Sequence, residues 1–331
     1  MPTPQDILER ITRIPNLQVA IDIPLARHTR FALGGPVDVF VETRSTDALS
    51  EAIRVVRGSG VPYFVVGEGT NLIAADQGFR GVVIRYTADE IAADGNLVRA
   101  GAGASLWGLV DFTVERGLRG LETLAGIPGS LGAAIYGNAG AYGHSISERV
   151  VQLSVLDGER IVQIANRECE FEYRGSVFKR KKSFVILSAE LVLEPADGVE
   201  LRRVADDIVR TRNEKFPPTL KCAGSIFKNL LLAHLAPDVR SQISGSVVRE
   251  GKVPAAFFLE RIGAKGMSCG DIHVAAHHAN LIYNGGLGTA GDLCALIDLL
   301  KQRVLDSFGV KLEEEVQYLG FNDRGEVPCP S

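Results

Sequence analysis

Residues 125–143, AGIPGSLGAAIYGNAGAYG, decide how the rest of the chain is read. Six glycines fall between Gly126 and Gly143, with few charges and no strong periodicity, which is poor material for an ordinary core helix or strand. Backbone N–H groups with so little side-chain cover can come close to a pyrophosphate or the edge of a ring. A second such run, Gly67-Glu68-Gly69-Thr70-Asn71, lies between β-rich residues 61–66 and 81–85 and reads as strand, glycine loop, strand. Tight structural turns are the competing reading of both runs, because glycine also marks turns.

Working outward, residues 46–58 place Leu49, Ile53 and Val56 on one helical face, with Thr46 as cap and Gly58 as stop. Asp94-Gly95-Asn96 predicts a turn into a strand at 97–100, followed by a helix at 106–116 capped by Ser105 and closed by Gly117. Strands at 150–156 and 160–164 flank Asp157-Gly158-Glu159 as a hairpin, and another strand is predicted at 184–193. A helix at 202–213 ends before Pro217-Pro218. The last third predicts helices at 255–262 and 289–308 and strands at 281–283 and 312–319. Hairpins interrupt the strand–helix alternation of a doubly wound sheet, so the expected class is α+β.

The chain has 331 residues, enough for about two domains, and 46% apolar content. With 36 Lys+Arg against 40 Asp+Glu the net charge is −4, and no basic field suits a nucleic-acid backbone. The five cysteines, at 169, 222, 269, 294 and 329, are odd in number and widely spaced, so neither a disulfide framework nor a zinc ribbon is implied. Asp6, Glu9 and Arg10 break any secretion-signal pattern, and no apolar run approaches the ~20 residues of a membrane span, so a cytoplasmic protein is expected. Gly101-Ala102-Gly103-Ala104-Ser105-Leu106 is like a dinucleotide fingerprint but has Leu106 at the third glycine, and Gly251-Lys252-Val253 is not a P-loop. His273, His277 and His278 form a cluster without companion ligands, so no metal is expected.

Six stretches in order, HTRFALGGP (28–36), VVGEGTNLIAADQGFRGVVI (65–84), AGIPGSLGAAIYGNAGAYG (125–143), YRGSVFK (173–179), AGSIFKN (223–229) and LEEEV (312–316), resemble the UDP-N-acetylenolpyruvoylglucosamine reductase (MurB) family. The short interval between YRGSVFK and AGSIFKN looks like the family's second type, without the extra substrate-covering loop. The resemblance implies a two-lobed FAD-binding domain of the vanillyl-alcohol-oxidase type, residues 1–80 and 81–210, and a C-terminal α+β substrate-binding domain, 211–331. It implies FAD as cofactor and NADPH as hydride donor, with the enolpyruvyl ether of UDP-N-acetylglucosamine reduced to UDP-N-acetylmuramate for peptidoglycan. The implied partners are these small molecules, with no nucleic acid or membrane, and a monomer.

Reduction of the vinyl group leaves negative charge on the carbon bearing the carboxylate, which then takes a proton, so one residue must stabilise charge and another must act as acid. The resemblance puts Arg174 on the carboxylate, where its fork of donors can hold two oxygens, and makes Ser225 the proton donor. Taken alone, these would be a solvated arginine and a turn serine. Glu315 is the third implied catalytic residue, as hydrogen-bond partner or acid. Period two in a strand over 312–319 nominates Glu314 instead, which shares a face with Leu312, Val316 and Tyr318.

For FAD the implied positions are Arg30, Gly67, Gly69, Thr70, Asn71, Leu72, Gly126, Ile127, Pro128, Gly129, Ser130, Gly132, Asn138, Gly140 and Ala141; Tyr142, Asn229 and His278 fall on the substrate side. Thr70, Tyr136, Leu230 and Gln317 depart from the usual serine, methionine, proline and arginine of the family wording. The competing functions are another flavin oxidase or dehydrogenase on the same FAD-binding half, and a silent flavin or nucleotide-sugar sensor.

Overall fold

The computed structural model describes residues 4–321; Cys329 lies outside the described residues. The first lobe is a four-stranded sheet in the order Gln18–Pro24, Pro36–Thr43, Phe79–Tyr86, Tyr63–Val66. Its first pair is antiparallel and the other two are parallel. The helix Thr46–Arg57 buries Ala48, Leu49, Ala52, Ile53, Val55 and Val56. Its cap is Ser45, one residue before the expected Thr46: Ser45 is extended and accepts from the Ala48 N–H at 3.2 Å. Residue 80 falls inside the strand Phe79–Tyr86, so this lobe's sheet runs on to Tyr86.

The second lobe is a five-stranded, wholly antiparallel sheet in the order Arg160–Ala165, Val150–Asp157, Phe184–Val192, Leu97–Gly101, Ile91–Asp94. The predicted hairpin closes at Asp157 opposite Arg160, with Gly158 at φ +65°. Helices Leu106–Glu115 and Gly198–Lys215 pack together on this lobe, and the second runs past residue 211. One apolar cluster, from Ile7 to Ala205, passes through both lobes.

The third part carries a short antiparallel sheet, Ser268–Cys269, Ile272–Val274 and Ile282–Asn284, against helices Ala255–Arg261 and Ala290–Phe308. Its core includes Phe31, Leu33 and Ile73 from the first lobe. Two expectations are corrected. The glycine-dense stretch contains a helix, Leu131–Tyr136, whose Leu131, Ala134 and Ile135 are buried and whose cap is Ser130. Gly132 is what admits it: a Cβ there would come within 3.0 Å of the Ala102 Cβ. Residues 312–319 are not one strand. Only Gln317–Leu319 is, paired in parallel with Leu72–Ala74, while residues 313–315 bond to 226–228 through Lys228 N–H to Glu313 O (2.9 Å) and Glu315 N–H to Ile226 O (2.7 Å).

Candidate active site

The two glycine runs, about sixty residues apart in sequence, lie against each other. A Cβ on Gly67 would stand 2.6 Å from Ser130 Oγ, and one on Gly129 (φ +113°) 2.8 Å from Thr70 Oγ1. The Thr70 hydroxyl reaches the Pro128 carbonyl at 3.5 Å. Gly69 (φ +64°) passes so close to His28 that a Cβ would lie 1.8 Å from its carbonyl oxygen, and its own carbonyl accepts from Arg30 N–H at 3.3 Å. Beside them a cleft of about 780 Å³ is lined by Gly67, Glu68, Gly103, Ser130, Arg85 and Tyr86. Bare backbone that any side chain would fill fits a dinucleotide's phosphates and ring edge.

Other expected cofactor positions are partly committed to holding loops together. Asn71 Nδ2 donates to the Glu315 carbonyl at 3.0 Å, and its own carbonyl accepts from Gln317 N–H at 2.9 Å. Leu72 is buried. Asn138 (φ +44°) is buried, and its Nδ2 donates to the Glu172 carbonyl at 3.0 Å. Ile127 packs against the large core, and Ala141 pairs with His144 in a two-residue ladder beside Gly140. Gly126 (φ +71°) faces Arg212, whose Cδ would be 3.5 Å from an added Cβ.

Arg212 went unnoticed in the sequence because nothing separates it from Arg202, Arg203 and Arg210 on the same helix. Burial lowers its pKa, and the positive charges of Arg30 and Arg174 lower it further. Its Nε is buried without a hydrogen-bond partner. A partly desolvated guanidinium among other cations is a seat for an anion, and it stands next to the glycine loop that fits a diphosphate.

Arg174 and Glu315 come together between the second lobe and the C-terminal part, and the segment that carries Ser225 runs beside the Glu315 backbone. Arg174 Nη1 donates to the Gly140 carbonyl at 3.0 Å, and its Nε lies 2.8 Å from Glu315 Oε1. The Nε is also buried without a hydrogen bond, so the contact is an ion pair whose N–H does not point along it. Both side chains keep about a quarter of their surface, 23% and 24%, open. Ser225 follows Gly224 (φ +80°) and bridges to Leu281; the next residue, Ile226, accepts the Glu315 N–H. Glu314 points elsewhere: its carboxylate takes Lys301 Nζ at 2.9 and 3.1 Å, inside the C-terminal part.

Around this centre Tyr173 OH accepts from Asn229 N–H at 3.2 Å, while Asn229 Oδ1 accepts from Ala255 N–H at 3.4 Å. Tyr142 (φ +52°) is 53% exposed. His278 sits edge-on to Phe216, with ring centres 5.6 Å apart and Nε2 buried without a partner. Burial, with the positive Lys215 beside it, pushes its pKa down to about 3. The three clustered histidines diverge: His273 pairs with Asp271 at 2.9 Å and His277 with the Lys215 carbonyl at 3.0 Å. Among the described residues no three metal-ligating side chains converge. Two departures from the family wording touch, since Tyr136 OH lies 3.4 Å from Gln317 Oε1.

Comparison with known proteins covers the chain in two pieces. Residues 37–162 match a model described as an FAD binding domain, and 216–319 one described as UDP-N-acetylenolpyruvoylglucosamine reductase, C-terminal domain. The reductase of that name from Solibacter usitatus (strain Ellin6076) is 57% identical over 311 residues, 94% of this chain and 100% of the relative. That from Bacillus subtilis (strain 168) is 35% identical over 92% of this chain and 95% of its own. The crystal structure of UDP-N-acetylenolpyruvylglucosamine reductase (MurB) from Thermus caldophilus superposes with a TM-score of 0.71 at 26% identity, covering 92% of this chain and 98% of that one. No helix among the described residues is long and apolar enough to cross a membrane. With an α+β fold, an FAD binding domain and the matching C-terminal domain, the chain belongs to the UDP-N-acetylenolpyruvoylglucosamine reductase family of FAD-dependent oxidoreductases.

Proposed function

We propose that this enzyme reduces the enolpyruvyl ether of UDP-N-acetylglucosamine to UDP-N-acetylmuramate, with NADPH as electron source, as a cytoplasmic monomer in peptidoglycan precursor synthesis. We take the first FAD-binding lobe to end after Tyr86 and the substrate-binding part to begin after Lys215. The observation that carries the reading is the meeting of Arg174, Glu315 and the Ser225 segment beside the paired glycine loops.

Gly67, Gly69, Gly126 and Gly129 are the backbone that would hold the bound FAD, and Arg30 and Arg212, beside these loops, would balance its diphosphate charge. That cofactor supplies hydride chemistry to the vinyl carbon. Arg174 holds the substrate carboxylate and stabilises the charge that develops beside it, and Glu315 keeps the guanidinium aligned. Ser225 gives its proton to the carbon bearing the carboxylate, a step open to so weak an acid only because the developing carbanion is a much stronger base. Tyr142, Asn229 and His278 line the approach of the nucleotide sugar. A flavin oxidase for another substrate has no use for this arginine, glutamate and serine together, and a silent sensor has no use for the acid.

The test is anaerobic: bleach the purified flavoprotein with NADPH, then add the enolpyruvyl nucleotide sugar. The expected outcome is return of the oxidised spectrum with formation of UDP-N-acetylmuramate. Ser225→Ala should leave bleaching intact while slowing recovery by about 10²–10⁴-fold, the usual worth of a general acid. Equal loss of both half-reactions would remove the proton-donor role.

A further inference from the structure

A second cation stands behind Arg174. Lys179, in the short helix Val177–Arg180, donates from Nζ to the Arg174 carbonyl oxygen at 2.6 Å. That carbonyl belongs to a residue under backbone strain. Arg174 is the third residue of a four-residue turn closed by reciprocal bonds between Glu172 and Gly175, each 3.1 Å. Its φ is +56°, where glycine or asparagine is the usual occupant. The surroundings hold this conformation against its cost. The guanidinium ties, to Gly140 and to Glu315, act at the far end of a flexible side chain; Lys179 acts on the backbone itself.

We propose that Lys179 is a positioning residue for the reductive step, clamping the Arg174 carbonyl so that the strained turn presents the guanidinium to Gly140, to Glu315 and to the carboxylate of the substrate. This rests on the reading of Arg174 as the residue that holds that carboxylate. The electrostatics agree with a functional rather than a stabilising role. Burial pushes the Lys179 pKa down to about 8, with Lys228, Lys182 and Arg174 acting in the same direction and Glu315 opposing them. An ammonium this hard to keep charged is a poor choice for stability alone. Because the folded value lies below the ordinary 10.5, the ammonium is present below about pH 8 and lost above it. The bond to the Arg174 carbonyl weakens as the charge goes.

The experiment compares the full-length FAD-loaded enzyme with Lys179→Met and Lys179→Arg. Flavin reduction by NADPH should stay within about twofold in all three, while reoxidation by the enolpyruvyl substrate slows by roughly 100-fold in Lys179→Met, the scale of a 1 Å misplacement. Lys179→Arg, which keeps a charged donor, should recover most of that loss. In wild type kcat/KM should fall above pH 8, the value near which Lys179 loses its proton. In Lys179→Arg the same limb should be absent, because guanidinium does not titrate there. A readout free of turnover is the Arg174 side-chain N–H in 15N NMR. It should be distinct and slow to exchange in wild type and Lys179→Arg, and averaged with solvent-exposed arginines in Lys179→Met.

Unchanged reoxidation and an unchanged Arg174 signal in Lys179→Met would overturn the proposal. So would equal slowing of both half-reactions, or an alkaline limb that persists in Lys179→Arg; the latter decides the matter even if Lys179→Met does not fold. A wild type that NADPH bleaches but the enolpyruvyl substrate does not reoxidise defeats the functional reading instead, and the NMR comparison still judges the clamp.

Discussion

Arg174 and Glu315 face each other because each sits where its backbone departs from regular structure. Arg174 has a left-handed φ of +56°, and Glu315 lies in a connecting segment whose N–H is taken by Ile226. Alternation along a strand over 312–319 nominated Glu314 as the buried acid; the strand begins only at Gln317, and the Glu314 side chain is 16% exposed against 24% for Glu315. Glu314 is instead the partner of Lys301, a pairing that no local spacing announces. His278 carries a prediction at this scale. Its folded pKa, about 3, lies below the ordinary 6.5, so between these values the unfolded chain binds the extra proton. Stability contributed by the neutral ring is therefore complete above pH 6.5 and declines as pH falls toward 3, at up to about 1.4 kcal/mol per pH unit. Denaturant unfolding at pH 7 and pH 5 should show that decline in wild type and a shallower one in His278→Phe.

At the scale of elements, the two glycine loops were legible as loops, and their composition pointed to close approach. Their contact was not, nor was the helix Leu131–Tyr136 inside the second one, whose six residues are too few to display a 3.6-residue period. Gly69 tests the arrangement. Its φ of +64° and the His28 carbonyl 1.8 Å from an added Cβ make Gly69→Ala both strained and obstructed. The variant should lose about 2 kcal/mol or more of stability in urea titrations and be purified with little FAD. Gly60, at φ +71° with nothing within 4 Å of an added Cβ, is the control: alanine there should cost only about 1 kcal/mol and leave the flavin content unchanged.

At the scale of the whole molecule, the C-terminal part is fastened to the first lobe by strand pairing, a shared core and a helix start. The C-terminal part inserts Gln317–Leu319 beside Leu72–Ala74, draws Phe31, Leu33 and Ile73 into its own core, and rests the start of its longest helix on Asp76 of the first lobe. Asp76 accepts from the Ala290 and Gly291 N–H groups at 2.8 and 2.9 Å. A carboxylate meeting two unpaired amides at a helix start is worth about 1–2 kcal/mol. Asp76→Ala should therefore lower the unfolding free energy by that amount in a urea titration. Since the same contacts bring Glu315 beside Asn71, it should also weaken binding of the nucleotide sugar more than that of FAD, which paired titrations of the two ligands would show.

What the amino-acid order determined by itself was local and repetitive. The amphipathic helices at 46–58 and 289–308, the hairpin at 157–160 and the bare glycine loops follow from periodicity and turn chemistry within windows of a few residues. The wording of six motifs carried the family. What only the tertiary structure decided was which distant groups share a volume. Arg174 meets Glu315, Glu314 turns to Lys301, Arg212 sits half-buried among cations, and Lys179 bonds the backbone of Arg174. These pairings depend on how three parts of the chain dock, and docking is set by the fit of cores such as that around Phe31 and Ile73, which leaves no period in the sequence.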